Sequence, residues 1–260
     1  MSNFLLAAVS LWRREMVRFF RQRSRIVGAL GSPLVFWLLL GSGVGSSFRF
    51  GAANEGASMG YLEYFFPGTV VLILLFTSIF STISIIEDRK EGFLQSVLVA
   101  PIPRSAFVLG KLLGGTTLAV MQGVLFMLLA PLVNIPFSAI PAALGMLALV
   151  AFGLTALGYI IAWKMDSTQG FHAIMNLFLI PMWLLSGSVF PAAGAPGWLK
   201  WVILMNPLTY GLAAVRSSIY GVQRAAAMNL PSFGISLAVS VVFAGSLFVA
   251  AILLTRRTSS

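Results

Sequence analysis

The sequence predicts an all-α integral membrane protein, and three observations carry that expectation. Hydrophobic residues make up 58% of the 260 residues, charged residues only 9%, and the mean hydropathy is +0.95. Almost charge-free runs recur that are long enough, at about 1.5 Å per helical residue, to cross a roughly 30 Å hydrocarbon layer. The basic residues cluster on alternate connections between those runs. The connections are too short for a second folded domain, so residues 1–260 read as a single transmembrane domain.

Residues 1–25 read as an interfacial helix. Leu5, Val9, Trp12, Met16, Phe19 and Phe20 fall on one side at helical spacing, and Arg14, Arg18, Arg21 and Arg25 fall opposite. Such a helix lies along the inner leaflet, each basic residue adding about 1 kcal/mol of attraction to anionic lipid. A basic stop that merely orients the first span is the alternative. The basic cluster continues to Arg25, and no small-residue cleavage pattern follows a short apolar core, so a cleavable signal peptide is not expected.

Six spans are expected: Ile26 to Gly45, Tyr64 to Ile86, Leu112 to Val133, Ala142 to Ala162, Phe171 to Phe190 and Phe233 to Leu254. With a cytoplasmic N-terminus, four of the 17 basic residues, Arg49, Lys200, Arg216 and Arg224, lie outside. The other thirteen lie inside, which places both termini in the cytoplasm. The net charge of +10 therefore reads as topology rather than as a nucleic-acid surface.

Between the second and third spans sits a charged insert, Glu87 to Lys111. Glu87, Asp88, Arg89, Lys90 and Glu91 precede Leu94, Val97, Leu98 and Pro101, spaced so that one helical face is apolar and the other polar. Pro101 and Pro103 stop that helix, since neither donates a backbone hydrogen bond. An exposed apolar face on such a connection suits a partner surface better than an idle loop.

From Pro191 to Pro231, two apolar stretches, Trp198 to Met205 and Leu208 to Tyr220, cover about 12 and about 20 Å as helices, too short to cross alone. Joined, they would form a seventh span with Asn206-Pro207 breaking its middle. Two short helices in a re-entrant or surface hairpin are the preferred reading. Gly41 with Gly45, and Gly110 with Gly114, have the small-xxx-small spacing of close helix contacts, although 25 glycines supply such spacings by chance.

The chemistry is defined largely by what the sequence lacks. It contains no GxxxxGK[ST] phosphate cradle, no HExxH, no GxSxG, no cysteine, and a single histidine, His172. The carboxylates at Glu15, Glu55, Glu63, Glu87, Asp88, Glu91 and Asp166 lie outside or at the edges of the expected spans. An ion-coupled carrier usually keeps such a group at membrane depth. A carrier and an intramembrane enzyme are thus disfavoured, and the insert's apolar face disfavours an inert scaffold. Within the spans, Gln122 and Asn176 have interhelical hydrogen bonding as their default role. Met175, Phe178 and Met182 are large and adaptable enough to line an apolar path. These five are the candidate path residues, with packing or lipid contact as the alternative for each.

Three motifs stand out: Glu87-Asp88-Arg89-Lys90-Glu91-Gly92-Phe93-Leu94 followed by Pro101, Leu185-Ser186-Gly187-Ser188-Val189-Phe190-Pro191, and Asn206-Pro207-Leu208-Thr209-Tyr210 with Arg216. In these motifs and in overall layout, essentially the whole chain resembles the ABC-2 type permeases. These are the membrane subunits of bacterial ATP-binding cassette exporters, and the likeness is greatest to the daunorubicin-resistance and nodulation-factor export branches. The resemblance implies that residues 87–105 form a cytoplasmic coupling helix seated on a separate nucleotide-binding subunit. It places Glu87, Arg89, Glu91, Leu94 and Leu98 at that interface. It also implies two ATPase subunits that bind ATP and Mg, no cofactor in this chain, a second permease copy, and a bacterial inner-membrane location. Short extracellular helices within residues 191–231 follow from it too. The expected cargo is amphipathic: a drug, lipid or glycolipid. The chain departs from the family pattern at Phe93, usually a small hydroxyl residue, and at Gln95, often acidic nearby.

Overall fold

A helix that is apolar around its whole circumference must be enclosed by other apolar surface, and the second expected span is such a helix. The computed structural model describes residues 2–21, 23–44, 59–191, 196–227 and 230–257. Its helices are α1 Ser2–Arg21, α2 Arg23–Val44, α3 Tyr61–Ser81, α4 Ile83–Lys90, α5 Phe93–Val99 and α6 Arg104–Met127. They continue with α7 Ala139–Trp163, α8 Thr168–Trp183, α9 Gly197–Met205, α10 Pro207–Tyr220, α11 Val222–Ala227 and α12 Phe233–Arg257. Gly45, Arg49 and Glu55, and the side chains of Arg23, Arg25, Leu98 and Arg257, lie outside the described residues.

The centre of the bundle is α3 continued by α4. Together they run from Tyr61 to Lys90, about 45 Å at helical rise. Their one interruption is at Thr82, where the Ser81 and Thr82 hydroxyls donate back to the carbonyls of Ser78 and Ile79 at 2.7 and 2.6 Å, bonding of the kind that bends helices. α2, α6, α7 and α10 pack around this post, and Phe65, Phe66, Ile73, Leu74 and Leu75 on it are fully buried. α8 is peripheral, buried only along Phe171, Met175, Leu179 and Trp183, one stripe at i+4 spacing. α12 rests on α7 and α10 and leaves Val241, Val242, Val249 and Leu253 outward.

Pro67 lies inside α3. Having no N–H, it frees the carbonyl of Glu63 four residues earlier. The Tyr220 hydroxyl of α10 donates to that carbonyl at 2.5 Å, so a neighbouring helix satisfies the acceptor that proline leaves open, as a bilayer interior requires.

Among the described residues, five helices are long and apolar enough to cross a membrane: Tyr61–Lys90, Arg104–Met127, Ala139–Trp163, Thr168–Ser188 and Phe233–Arg256. The apolar part of α2, Leu30–Val44, is shorter. Two boundaries differ from the sequence expectation. The third span begins at Arg104 rather than Leu112, because Pro103 in extended conformation (φ −62°, ψ 134°) ends the preceding turn and starts a helix at once. It stops at Met127, and Ala130–Val133 forms a 3-10 turn around Pro131. The insert is also not one helix. Gly92 adopts φ +75°, a conformation that glycine alone takes without steric cost, and this separates α4 from α5. Between Trp198 and Tyr220 the chain forms two helices, α9 and α10, parted at Asn206-Pro207.

α1 docks on α6 through Gly110 and Gly114. A Cβ at Gly110 would lie 2.8 Å from both the Ala8 carbonyl and the Leu11 Cβ, and one at Gly114 would lie 2.8 Å from the Glu15 Cβ. The small-xxx-small pair therefore serves this contact. Gly114→Leu should lower the stability of the purified protein by about 1–3 kcal/mol through overpacking. The readout is a fall in thermal midpoint in detergent, with Gly145→Ala unaffected because a Cβ there meets nothing within 4 Å.

Candidate functional site

The charged end of the bundle is assembled by α1, the end of α4, α5 and the start of α6. Arg14, Glu15 and Arg18 share one side of α1 because they are one, three and four residues apart. Asp88, in the last turn of α4, faces them and is 0% exposed. Its carboxylate accepts from Arg14 at 2.7 and 2.9 Å, from Arg18 at 2.8 Å, and from the Lys111 ammonium of α6. Lys111 also donates to Glu15 at 2.5 Å and to the Ser84 hydroxyl at 3.1 Å, and Arg18 pairs with Glu87 at 2.8 Å. The buried part of the cluster thus sets Arg14, Arg18 and Lys111 against Glu15, Glu87 and Asp88, three charges of each sign, while Glu91 at its exposed rim approaches Arg18 at 3.5 Å. Neutrality is what allows such a group to be buried. Burial alone would disfavour the Arg14 charge, but the hydrogen bonds and charge of Asp88 outweigh it and hold the guanidinium above its ordinary pKa.

Arg89 leaves α4 in another direction. It donates to Asp166 at 2.7 Å, to the Met165 carbonyl at 3.0 Å and to the Trp163 carbonyl. Trp163 ends α7, so Arg89 caps carbonyls that the helix cannot satisfy itself. α4 is therefore bound by side chains to α1, α6 and α7 together.

α5 lies across this cluster. The Arg14 guanidinium carbon stands 3.7 Å from the centroid of the Phe93 ring, a cation–π contact that a small hydroxyl residue could not make. Leu94 is buried and Val97 half-buried, whereas Gln95, Ser96 and Val99 face outward, Val99 being 86% exposed. Of the five residues singled out in the insert, Glu91 is exposed and Glu87, Arg89 and Leu94 turn into the chain. The Leu98 side chain is not described. The outward surface is made by Lys90, Glu91, Gln95, Ser96, Val99 and Pro101.

Two concavities lie nearby. One, of about 570 Å³, opens beside α4 among Phe19, Ser32, Phe76, Phe80, Glu87 and His172, and the His172 ring lies 4.9 Å from that of Phe80. The other, about 590 Å³ and almost wholly apolar, runs between α7, α8 and α9 and brings Met175, Phe178 and Met182 together. Gln122 is elsewhere, buried on α6 and accepting from Thr77 at 2.5 Å. Asn176 is on the exposed part of α8. The first concavity and the neutral cluster escaped sequence reasoning. Each is built from helices distant in sequence, and the only local hint was an acid and a base, Glu15 and Lys111, at the boundaries of apolar runs.

Because Asp88 compensates three cations at once, removing its charge leaves them underpaired in a buried setting. Asp88→Ala should cost about 3–5 kcal/mol, read as a large loss of thermal stability in detergent. Asp166→Ala, at an exposed carboxylate, should change stability by no more than about 1 kcal/mol.

Residues 7–220 match the family described as ABC-2 type transporter. The ycf38 protein of Cyanophora paradoxa is 25% identical over 217 residues, covering 82% of this chain and 74% of its own length. Nodulation protein J of Rhizobium meliloti is 26% identical over 217 residues, covering 82% of this chain and 81% of its own. The daunorubicin resistance ABC transporter permease protein DrrB1 of Streptomyces coeruleorubidus is 25% identical over 221 residues, covering 81% of this chain and 74% of its own. With its apolar helices built around one central post and its family match covering most of the chain, this protein belongs to the ABC-2 type transporter family and is a membrane permease subunit.

Proposed function

We propose that the chain is the permease half of an exporter in the bacterial inner membrane, moving an amphipathic drug, lipid or glycolipid out of the cytoplasm. ATP and Mg are held by two copies of a separate ATPase subunit, and this chain contributes no ATPase site of its own. A second permease copy completes the path. The charged end faces the cytoplasm with both termini, and α2 joins the five longer helices as the first of six spans. α9 and α10 form a re-entrant hairpin at the outer side. α1 lies at the inner leaflet, its exposed Leu5, Leu6, Val9 and Phe20 toward lipid.

The observation that carries this reading is the contrast across α5. Its inner face is fastened to α1 and α4 by Phe93, Leu94 and the neutral cluster, while its outer face presents Val99, which none of the described residues covers. A short helix with one face anchored and an uncovered valine on the other suits a lever seated in a partner's groove. ATP-driven closure of the two ATPase subunits would push on α5 and rock the permeases as rigid bodies. The apolar groove containing Met175, Phe178 and Met182 and the concavity beside Phe76 and Phe80 are candidate contacts for cargo, since large, mostly apolar sites suit amphipathic ligands.

The test is co-expression with the cognate ATPase subunit, followed by purification and ATPase assay in lipid vesicles. Val99→Asp should weaken assembly by at least about 10-fold, equivalent to about 1.4 kcal/mol, since a carboxylate in an apolar contact is desolvated without a partner. Glu91→Lys should abolish permease-stimulated ATP hydrolysis while membrane insertion and thermal stability are retained. Unchanged assembly and unchanged turnover in both variants would refute the lever.

A further inference from the structure

Arg216 of α10 is 0% exposed and is the largest fully buried side chain among the described residues. The sequence expectation placed it on the outer side of the membrane; its side chain is enclosed against the far end of α3. Its Nη2 donates to the Tyr64 carbonyl at 3.3 Å, its Nη1 to the Tyr64 hydroxyl at 3.4 Å, and its guanidinium carbon stands 4.2 Å from the Tyr64 ring centroid. Its Nε has no partner, and no carboxylate of the described residues lies within ion-pair distance.

An apolar side chain of similar volume would fill this position at no electrostatic cost, and exchanging buried charge for apolar bulk is often neutral or stabilising. Stability therefore does not account for an arginine here. What the guanidinium supplies is a directed, three-point grip between two helices. The grip continues on both sides. The Tyr64 hydroxyl donates to the Gly187 carbonyl at 2.9 Å and that of Tyr61 to the Val189 carbonyl at 3.2 Å. Tyr220 bonds the Glu63 carbonyl freed by Pro67, and Arg224 pairs with the Glu63 carboxylate at 2.9 Å. One end of the α3–α4 post thus holds α10, α11 and the turn after α8, and the other end holds α1, α6 and the lever.

We infer that Arg216 is a positioning residue that fastens α10 to the post, so that displacement of the lever at α5 is transmitted along α3–α4 to the opposite side of the membrane. This rests on the proposed lever function and adds the element that the lever moves. The route is the α3–α4 post, two helices joined end to end at Thr82 and held by directed bonds at both ends, whose position the two sites share.

The chain has no cysteine, so single reporters can be introduced directly. Ser218→Cys, half-buried on α10, reports the outer side, and Val99→Cys reports the lever. The complex with its ATPase subunit, in vesicles, is labelled with a membrane-impermeant maleimide with and without a non-hydrolysable ATP analogue. With Arg216 intact, the analogue should change the labelling rate at position 218 by about fivefold or more, the low end of ordinary site-to-site coupling. Arg216→Met should reduce that change to less than about twofold while position 99 stays protected by the ATPase and thermal stability holds. A full response at position 218 in Arg216→Met, or no response there with Arg216 intact, overturns the inference while leaving the lever in place. Failure of the ATPase to protect position 99 in the parent removes the lever itself and this inference with it. If Arg216→Met does not assemble, Arg216→Lys decides. It keeps the charge but lacks the planar fork, so a reduced response supports the grip and a full response overturns it.

Discussion

The Asp88 carboxylate is the contact on which the charged end depends. It is a formal charge taken out of water at the end of a 30-residue apolar post, tolerable only because cations arrive from two other helices. That requirement propagates outward. Lys111 must come from α6, so α6 must already be helical at that position, which it is because Pro103 lets the helix start at Arg104. Arg14 and Arg18 must come from α1, so α1 must lie flush on α6, which Gly110 and Gly114 permit. Glu15 then balances the Lys111 charge that Asp88 alone would leave shared. The close packing and the charge balance are one solution rather than two.

The apolar runs and the proline breaks were legible, because both act locally. Hydrophobic length marks a span wherever it sits, and Asn206-Pro207 parts α9 from α10 regardless of what surrounds them. The charged residues were not, because a sequence shows that a charge exists but not whether water or another side chain faces it. Glu15, Asp88 and Lys111 read only as charges at or beyond the span edges, and they are buried. Leu94 read as part of an outward apolar face, but the turn at Gly92 resets the phase of the following helix and sends it inward. Arg216 is the same lesson at the opposite end of the post.

The N-terminal helix shows how a two-sided pattern can conceal a third face. Reading α1 as apolar against basic leaves Ala8, Leu11 and Glu15 unassigned, since alanine is small, Leu11 falls next to the arginines rather than with the other apolar residues, and Glu15 is an acid. Those residues and Phe19 form the buried face, lying between the arginines and the outward Leu5 and Val9. α1 is therefore a bundle helix with an apolar outer surface and a basic edge. It is tied to α4 by charge and to α6 by close packing, so it would support the proposed lever.

The buried charges also bear on whether such a chain could run on an ion gradient. A coupling ion needs a site whose charge is incomplete without it, so that binding and release change the energy of two conformations. The buried carboxylates around Asp88 are already paired with Arg14, Arg18 and Lys111, and any cation entering there would have to displace an arginine or a lysine already bonded. Arg216 has the opposite imbalance, a positive charge with no carboxylate of the described residues within ion-pair distance, which repels a coupling cation. Both arrangements are costly as ion sites and inexpensive as joints. A joint is what the proposed permease requires, since its energy would be released in a different polypeptide and would reach the far side of the membrane through packed helices.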